Sequence, residues 1–135
     1  MTTFSGIAHV AIVVRDMQRS VGWYRRVLGF EPASEVLPGP PAARHPRMLL
    51  RHPDNGLVVG VHEPLDRTGD RFDPSRTGLD HFSLAVRDEQ ALAAWAERLD
   101  DLDVEHSPVR DLGYASFVSV FDPDGIQWEL WAAKE

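Results

Sequence analysis

Cysteine is absent from the 135 residues, and with it go disulfides, thiolate nucleophiles and zinc–thiolate sites. A basic excess is missing too: 14 Lys and Arg against 21 Asp and Glu leave a net charge of −7. Nucleic acid is bound through a basic stripe, which the Arg25-Arg26 pair is too small to form, so no such partner is expected. Long apolar runs are also lacking. Stretches such as Val10 to Val14 are strand length, well short of the ~20 residues of a membrane span, and no membrane partner is expected. Met1-Thr2-Thr3-Phe4 shows no basic segment leading into an apolar core, so the expected location is cytoplasmic.

What the chain contains is one pattern written twice. Gly6-Ile7-Ala8-His9-Val10-Ala11-Ile12-Val13-Val14-Arg15-Asp16 lies over Gly78-Leu79-Asp80-His81-Phe82-Ser83-Leu84-Ala85-Val86-Arg87-Asp88 at one constant offset (78 − 6 = 72). Gly, His, Val, Arg and Asp coincide, and in the same register Trp23 falls on Trp95 and Arg26 on Arg98. Further on, Pro53-Asp54-Asn55-Gly56 parallels Pro123-Asp124-Gly125, each ahead of an apolar strand. So many matches in one register point to an ancient duplication.

Each half reads as strand, helix and three strands. In the first, Ile7 to Val14 is rich in β-formers and Asp16 is placed to cap a helix. Met17, Val21, Tyr24 and Leu28 recur at helical spacing, and Gly29 can end the helix. Strands are expected at Glu35 to Leu37, Arg47 to Arg51 and Leu57 to His62. The second half repeats this with Leu79 to Val86, a helix from Glu89 to Leu99, a weak strand near Val104, then Ala115 to Phe121 and Ile126 to Trp131. The expected fold is α+β: two tandem βαβββ modules forming an incomplete eight-stranded barrel around a metal or ligand cavity. One domain would span residues 1–135, with module one at about 4–63, a polar connector at about 64–77 and module two at about 78–133. Leu37-Pro38-Gly39-Pro40-Pro41-Ala42 reads as a proline-rich loop.

Strand alternation puts His9 on the face of Ile7, Ala11 and Val13, and His81 on the face of Leu79, Ser83 and Ala85. Two histidines at duplicated positions approach each other if the modules pack about a pseudo-twofold axis. In the last strand Glu129 faces with Gln127 and Trp131, and a carboxylate in a largely buried strand is costly unless paired or bound to a cation. Two imidazoles and a carboxylate suit Fe(II), Mn(II), Zn(II) and similar ions, with positions left open for substrate or dioxygen. The alternative for Glu129 is a salt bridge to an arginine such as Arg47. His45, His52 and His106, in loops near Pro or charged residues, are expected at the surface.

Over nearly its whole length the chain resembles the vicinal oxygen chelate superfamily, the glyoxalase, bleomycin-resistance and extradiol-dioxygenase group. The resemblance is carried by Gly6–His9 and Gly78–His81, by Trp23-Tyr24-Arg25-Arg26-Val27-Leu28-Gly29-Phe30, and by Asp122-Pro123-Asp124-Gly125-Ile126-Gln127-Trp128-Glu129. It implies metal positions on the first and fourth strands of each module, which here are His9, Gly60, His81 and Glu129. Gly60 departs from the pattern and leaves one position without a ligand. Glyoxalase-type lyases fill all four; a His, His, Glu set resembles extradiol dioxygenases and the manganese-dependent fosfomycin-modifying thiol transferases. The resemblance also implies a homodimer.

The expected function is therefore a divalent-metal enzyme acting on a small oxygen-bearing organic substrate chelated to the ion. An Fe(II) extradiol-type dioxygenase leads, with Mn, Ni or Zn as alternative metals. The rival enzymes are a glyoxalase-like lyase and a fosfomycin-type thiol transferase, and the non-enzyme rival is a bleomycin-resistance-type drug binder. His62, two residues past Gly60 on the same face, is a candidate general base, supporting group or replacement ligand. Tyr114, in the loop before a late strand, is a candidate donor to a bound oxyanion.

Overall fold

A computed structural model of the protein describes residues 2–38, 45–66 and 69–135; residues 39–42 of the proline-rich loop lie outside them. The chain divides into two units, one running to Asp70 and one from Arg71 onward. Each unit holds one βαβββ module, as the internal repeat predicts.

In module one, β1 (Val10–Val13) is followed by α1 (Met17–Leu28), β2 (Glu31–Pro32), β3 (Arg47–Arg51) and β4 (Val58–His62). Asp16 caps α1 by accepting the Arg19 N–H at 3.1 Å, and Arg25 and Arg26 sit at its negative C-terminal end. Gly29 ends it at φ 81°, a left-handed conformation that only glycine adopts without strain, while its N–H donates to the Tyr24 carbonyl. The sheet order is β1-β4-β3-β2, with β1 parallel to β4 and the other pairs antiparallel. Met17, Val21, Tyr24 and Leu28 are buried as their spacing predicts, and they pack with Leu50, Val59 and Val61 on one side of this sheet.

Module two repeats the plan with β5 (His81–Ala85), α2 (Glu89–Asp101), β6 (Arg110–Asp111), β7 (Ala115–Phe121) and β8 (Gln127–Ala133). Asp88 caps α2 through the Ala91 N–H at 2.8 Å. The sheet order is β5-β8-β7-β6, again with one parallel pair, β5 with β8. Leu92 and Leu99 of α2, Val118 and Val120 of β7, and Trp128 and Leu130 of β8 form its buried side. The segment entering this module is tied down: the Phe72 N–H donates to the Asp124 carbonyl at 3.0 Å, inside the Asp122–Gly125 turn.

Two strands fall elsewhere than the sequence pattern suggests. The second strand is Glu31–Pro32, directly after the Gly29 turn, and not Glu35 to Leu37. Pro32 lies on the edge strand, where a missing N–H is tolerated, and only Leu37 of the expected segment forms a bridge, to Arg47. In module two the strand expected near Val104 is Arg110–Asp111, because the Val104 N–H closes back on the Leu99 carbonyl at the end of α2. Among the described residues no helix is long and apolar enough to cross a membrane.

Candidate metal centre

The face of each sheet that points away from its helix is set by register. In module two it consists of three rows. Ser83, Glu129 and Ser119 are paired across β5, β8 and β7; His81, Gln127 and Phe121 form the row on one side, and Ala85, Trp131, Phe117 and Arg110 the row on the other. Module one has the same rows with other contents. Ala11, Gly60 and Leu49 stand where Ser83, Glu129 and Ser119 do, and Val13, His62 and Arg47 where Ala85, Trp131 and Phe117 do. Gly60 is therefore the counterpart of Glu129 in pairing as well as in distance from the turn glycine.

Glu129 is 6% exposed, between Trp128 and Leu130 in sequence, and its carboxylate is held on three sides. The Ser83 hydroxyl donates to Oε2 at 2.9 Å, the Gln127 side-chain amide donates to Oε1 at 3.3 Å, and His81 Nε2 stands 3.3 Å from Oε2. The other ring nitrogen of His81, Nδ1, lies 2.7 Å from Asp80 Oδ1. An ionised carboxylate only accepts, so Nδ1 carries the proton that joins these two. In the neutral imidazole Nε2 then bears only a lone pair, and that lone pair faces a carboxylate oxygen. Two acceptors face to face repel, and the arrangement is satisfied by a cation between them, whether a proton or a metal ion. An imidazole with one carboxylate behind it and a buried one beside its other nitrogen supplies two donors and the outer support that a divalent ion uses.

His9 lies just ahead of β1, exposed, on the face of Ala11 and Val13. The residue before it is Ala8, where module two has Asp80. Among the described residues no group of three or more His, Asp or Glu side chains is gathered so as to hold a metal. The structure thus brings together His81 and Glu129 of the expected triad and describes His9 within its own module.

His62 is half-buried at the end of β4, its ring edge-on to His45 with centroids 6.3 Å apart. The imidazole folds back along the strand, so that Nε2 would lie 3.2 Å from a Cβ at position 60. Glycine is what leaves this space. Burial holds the His62 pKa below the ordinary 6.5, and the nearby Arg47, His45 and His9 add to the effect. The ring is neutral at pH 7 and able to take up a proton. Tyr114, two-thirds exposed in the loop between β6 and β7, has its ring 6.1 Å from that of Trp131.

Two histidines expected at the surface are partly buried with structural partners. His52 Nε2 reaches the Leu28 carbonyl at 2.9 Å, closing the C-terminus of α1, and His106 bridges Asp100 and the Ser107 carbonyl. The loop positions of these residues gave no sign of those contacts. Conversely, Asp80, Ser83 and Gln127 support the site although the sequence reading gave them no role. The signal was present: Asp80 directly precedes His81, while Ser83 and Gln127 alternate onto the face of His81 and Glu129.

A cavity of about 570 Å³ opens beside Glu129, within module two alone. Arg110, Phe117, Ser119, Phe121 and Gln127 are among its walls. Its size is in the range of small-molecule sites.

Comparison with known proteins agrees with this plan. The family model described as the glyoxalase/bleomycin resistance protein/dioxygenase superfamily matches residues 6–130. The chain belongs to that superfamily. Among solved structures, a glyoxylase/bleomycin resistance protein/dioxygenase domain from Frankia sp. EAN1pec is 27% identical, with a TM-score of 0.84, and the match covers 98% of this chain and 100% of that one. A glyoxalase family protein from Enterococcus faecalis is 26% identical, with a TM-score of 0.74 over 95% of this chain and 98% of that one. The fosfomycin resistance protein FosX from Listeria monocytogenes, solved with Mn(II) and sulfate, shares the fold at 19% identity and a TM-score of 0.68, over 98% and 95% of the two chains. No curated protein matches.

Proposed function

We propose that this superfamily member is a divalent-metal-dependent enzyme, in which His9, His81 and Glu129 hold the ion and a small oxygen-bearing organic substrate is its target. The observation that carries this reading is His81 Nε2 set 3.3 Å from the buried Glu129 carboxylate, with Asp80 against Nδ1 behind it. Bound there, a divalent ion supplies Lewis-acid polarisation of substrate oxygens and, as Fe(II), reactivity toward dioxygen. We favour the Fe(II) extradiol-type dioxygenase because two histidines and one carboxylate leave several positions open.

The protein's own groups do the rest. Asp80 holds the His81 ring, while Ser83 and Gln127 hold the Glu129 carboxylate, so both donors stay fixed as substrate enters. His62, neutral at pH 7, serves as the proton acceptor, and Tyr114 as the hydroxyl donor to a developing oxyanion. The working unit is a cytoplasmic homodimer whose single domain uses both modules. Ile7 and Leu79, at equivalent positions of the repeat, are 70% and 64% exposed in the chain alone, as expected of residues that a second copy covers.

A second reading is thiol transfer with Mn(II) as the metal, since two histidines and one carboxylate suit that ion as well. The deciding experiment is metal analysis of protein purified without oxygen, for the wild type, His81→Ala and Glu129→Ala. Stoichiometric Fe(II), lost in both variants while their melting stays cooperative, is the expected result. Mn(II) lost in the same way would move the assignment to transfer chemistry. A wild type that takes up no metal even on reconstitution would overturn the enzyme reading in favour of a metal-free ligand binder.

A further inference from the structure

The cavity beside Glu129 has a polarity that the metal reading alone does not explain. Its near row holds Glu129 with Ser119, and the row beyond holds Phe117, with Arg110 paired directly across from it. The Phe117 ring is stacked on Trp131, centroids 5.7 Å apart and planes 20° apart, which fixes it as a flat wall. Arg110, across from that wall, also lines the cavity, and no acidic partner of its guanidinium is found among the described residues. His106, with Asp100 already bound to it, and Glu105 also line the cavity, level with Val120 and Phe121 and so away from Arg110 along the strand. From Arg110 to Glu129 the path crosses two strand spacings and one row, about 12 Å between Cα atoms. One aromatic ring and the reach of an arginine side chain fill that gap.

We propose that this cavity binds a flat aromatic acid, its ring lying on Phe117 and its carboxylate or other anionic group paired with Arg110. The proposal rests on the reading of Glu129 as the metal side of the site: the oxygens presented to the metal lie at one end of the substrate and the acid group at the other. Arginine suits this role because its planar fork donates two parallel hydrogen bonds to a carboxylate. Phe117 gives a preference for flat rings. A neutral substrate of the same shape keeps the ring contact and loses the ion pair.

The test is calorimetric titration of the full chain, freed of metal by chelation, with 2-naphthoate and its neutral counterpart 2-naphthamide. Neither probe carries vicinal oxygens, so binding does not depend on a metal. The wild type should bind naphthoate about ten-fold more tightly than naphthamide, the worth of one charge-assisted hydrogen-bonded pair. Arg110→Gln should abolish that difference; Arg110 is exposed, and the variant should melt with the wild type. Phe117→Ala should weaken both probes several-fold. Equal affinity for the two probes, no binding of either, or an intact preference in Arg110→Gln would overturn the proposal. If metal analysis fails while the naphthoate preference stands, the metal reading falls and the acid-binding cavity remains.

Discussion

The two modules share one topology and differ in what they place on its open face. In module two the central row is Ser83, Glu129 and Ser119; in module one it is Ala11, Gly60 and Leu49. One position in the row carries a buried carboxylate with three partners, and its counterpart carries no side chain at all. The row beyond shows the opposite trade. Module two fills it with the stacked pair Phe117 and Trp131, and module one with Arg47 and His62. Even the two duplicated histidines are treated differently, since His81 has Asp80 behind it and His9 has Ala8. After duplication, the buried side of each sheet was constrained by packing against its own helix. The open side was free to diverge: in module two it carries a held carboxylate and a stacked aromatic pair, in module one Arg47 and His62.

The modules differ most in their cores. Val59 and Trp128 are equivalent by register, and both are fully buried. Trp128→Ala should cost about 3–5 kcal/mol, because the cavity cannot close, whereas Val59→Ala should cost about 2 kcal/mol. Urea unfolding of the two variants measures this, and equal losses would show that the cores are not partitioned as described. Next is the central row. Glu129→Gln should weaken metal binding by more than about 100-fold, since outer partners alone are worth 10–100-fold, while Gly60→Ala should leave it within about three-fold. Competition with a chromophoric chelator gives both numbers, and a loss on Gly60→Ala comparable to that of Glu129→Gln would erase the asymmetry. Smaller again is the prop behind His81. Asp80→Asn should reduce metal affinity about ten-fold while leaving melting unchanged. An unaltered affinity would mean that the Asp80–His81 contact does not orient the ring.

Much of this was legible before any coordinates. The repeat gave the modules, because matched residues in one register mean matched strands, and Asp16 and Gly29 announced the two ends of α1 through capping chemistry. Glu129 stood out because a carboxylate in a buried strand demands a partner, and His81 because it repeats His9. The edge strands were not legible: Glu31–Pro32 and Arg110–Asp111 are two residues each, too short to show alternation, and the apolar Val36-Leu37 and Val104 drew attention away from them. The back-folding of His62 onto Gly60 was hidden as well, since strand spacing puts the two residues roughly 7 Å apart and a rotamer cancels that distance.

The smallest expected effect is also the one in which the modules respond with opposite sign. His62 in module one has a pKa below 6.5, chiefly from burial and then from Arg47, His45 and His9; His106 in module two has one above 6.5, chiefly from its hydrogen bond to Asp100. As pH falls from 6.5 toward the folded value of His62, the unfolded chain takes up a proton that the folded chain refuses, and stability is lost on the acid side. For His106 the extra stability is complete below 6.5 and disappears as pH rises through its folded value, so the loss is on the alkaline side. His62→Gln should therefore flatten the acid limb of the stability profile, and His106→Gln the limb above 6.5. An NMR titration of the two imidazoles checks the premise directly. Midpoints on the same side of 6.5 would remove the electrostatic difference between the modules, leaving only the difference in side-chain shape.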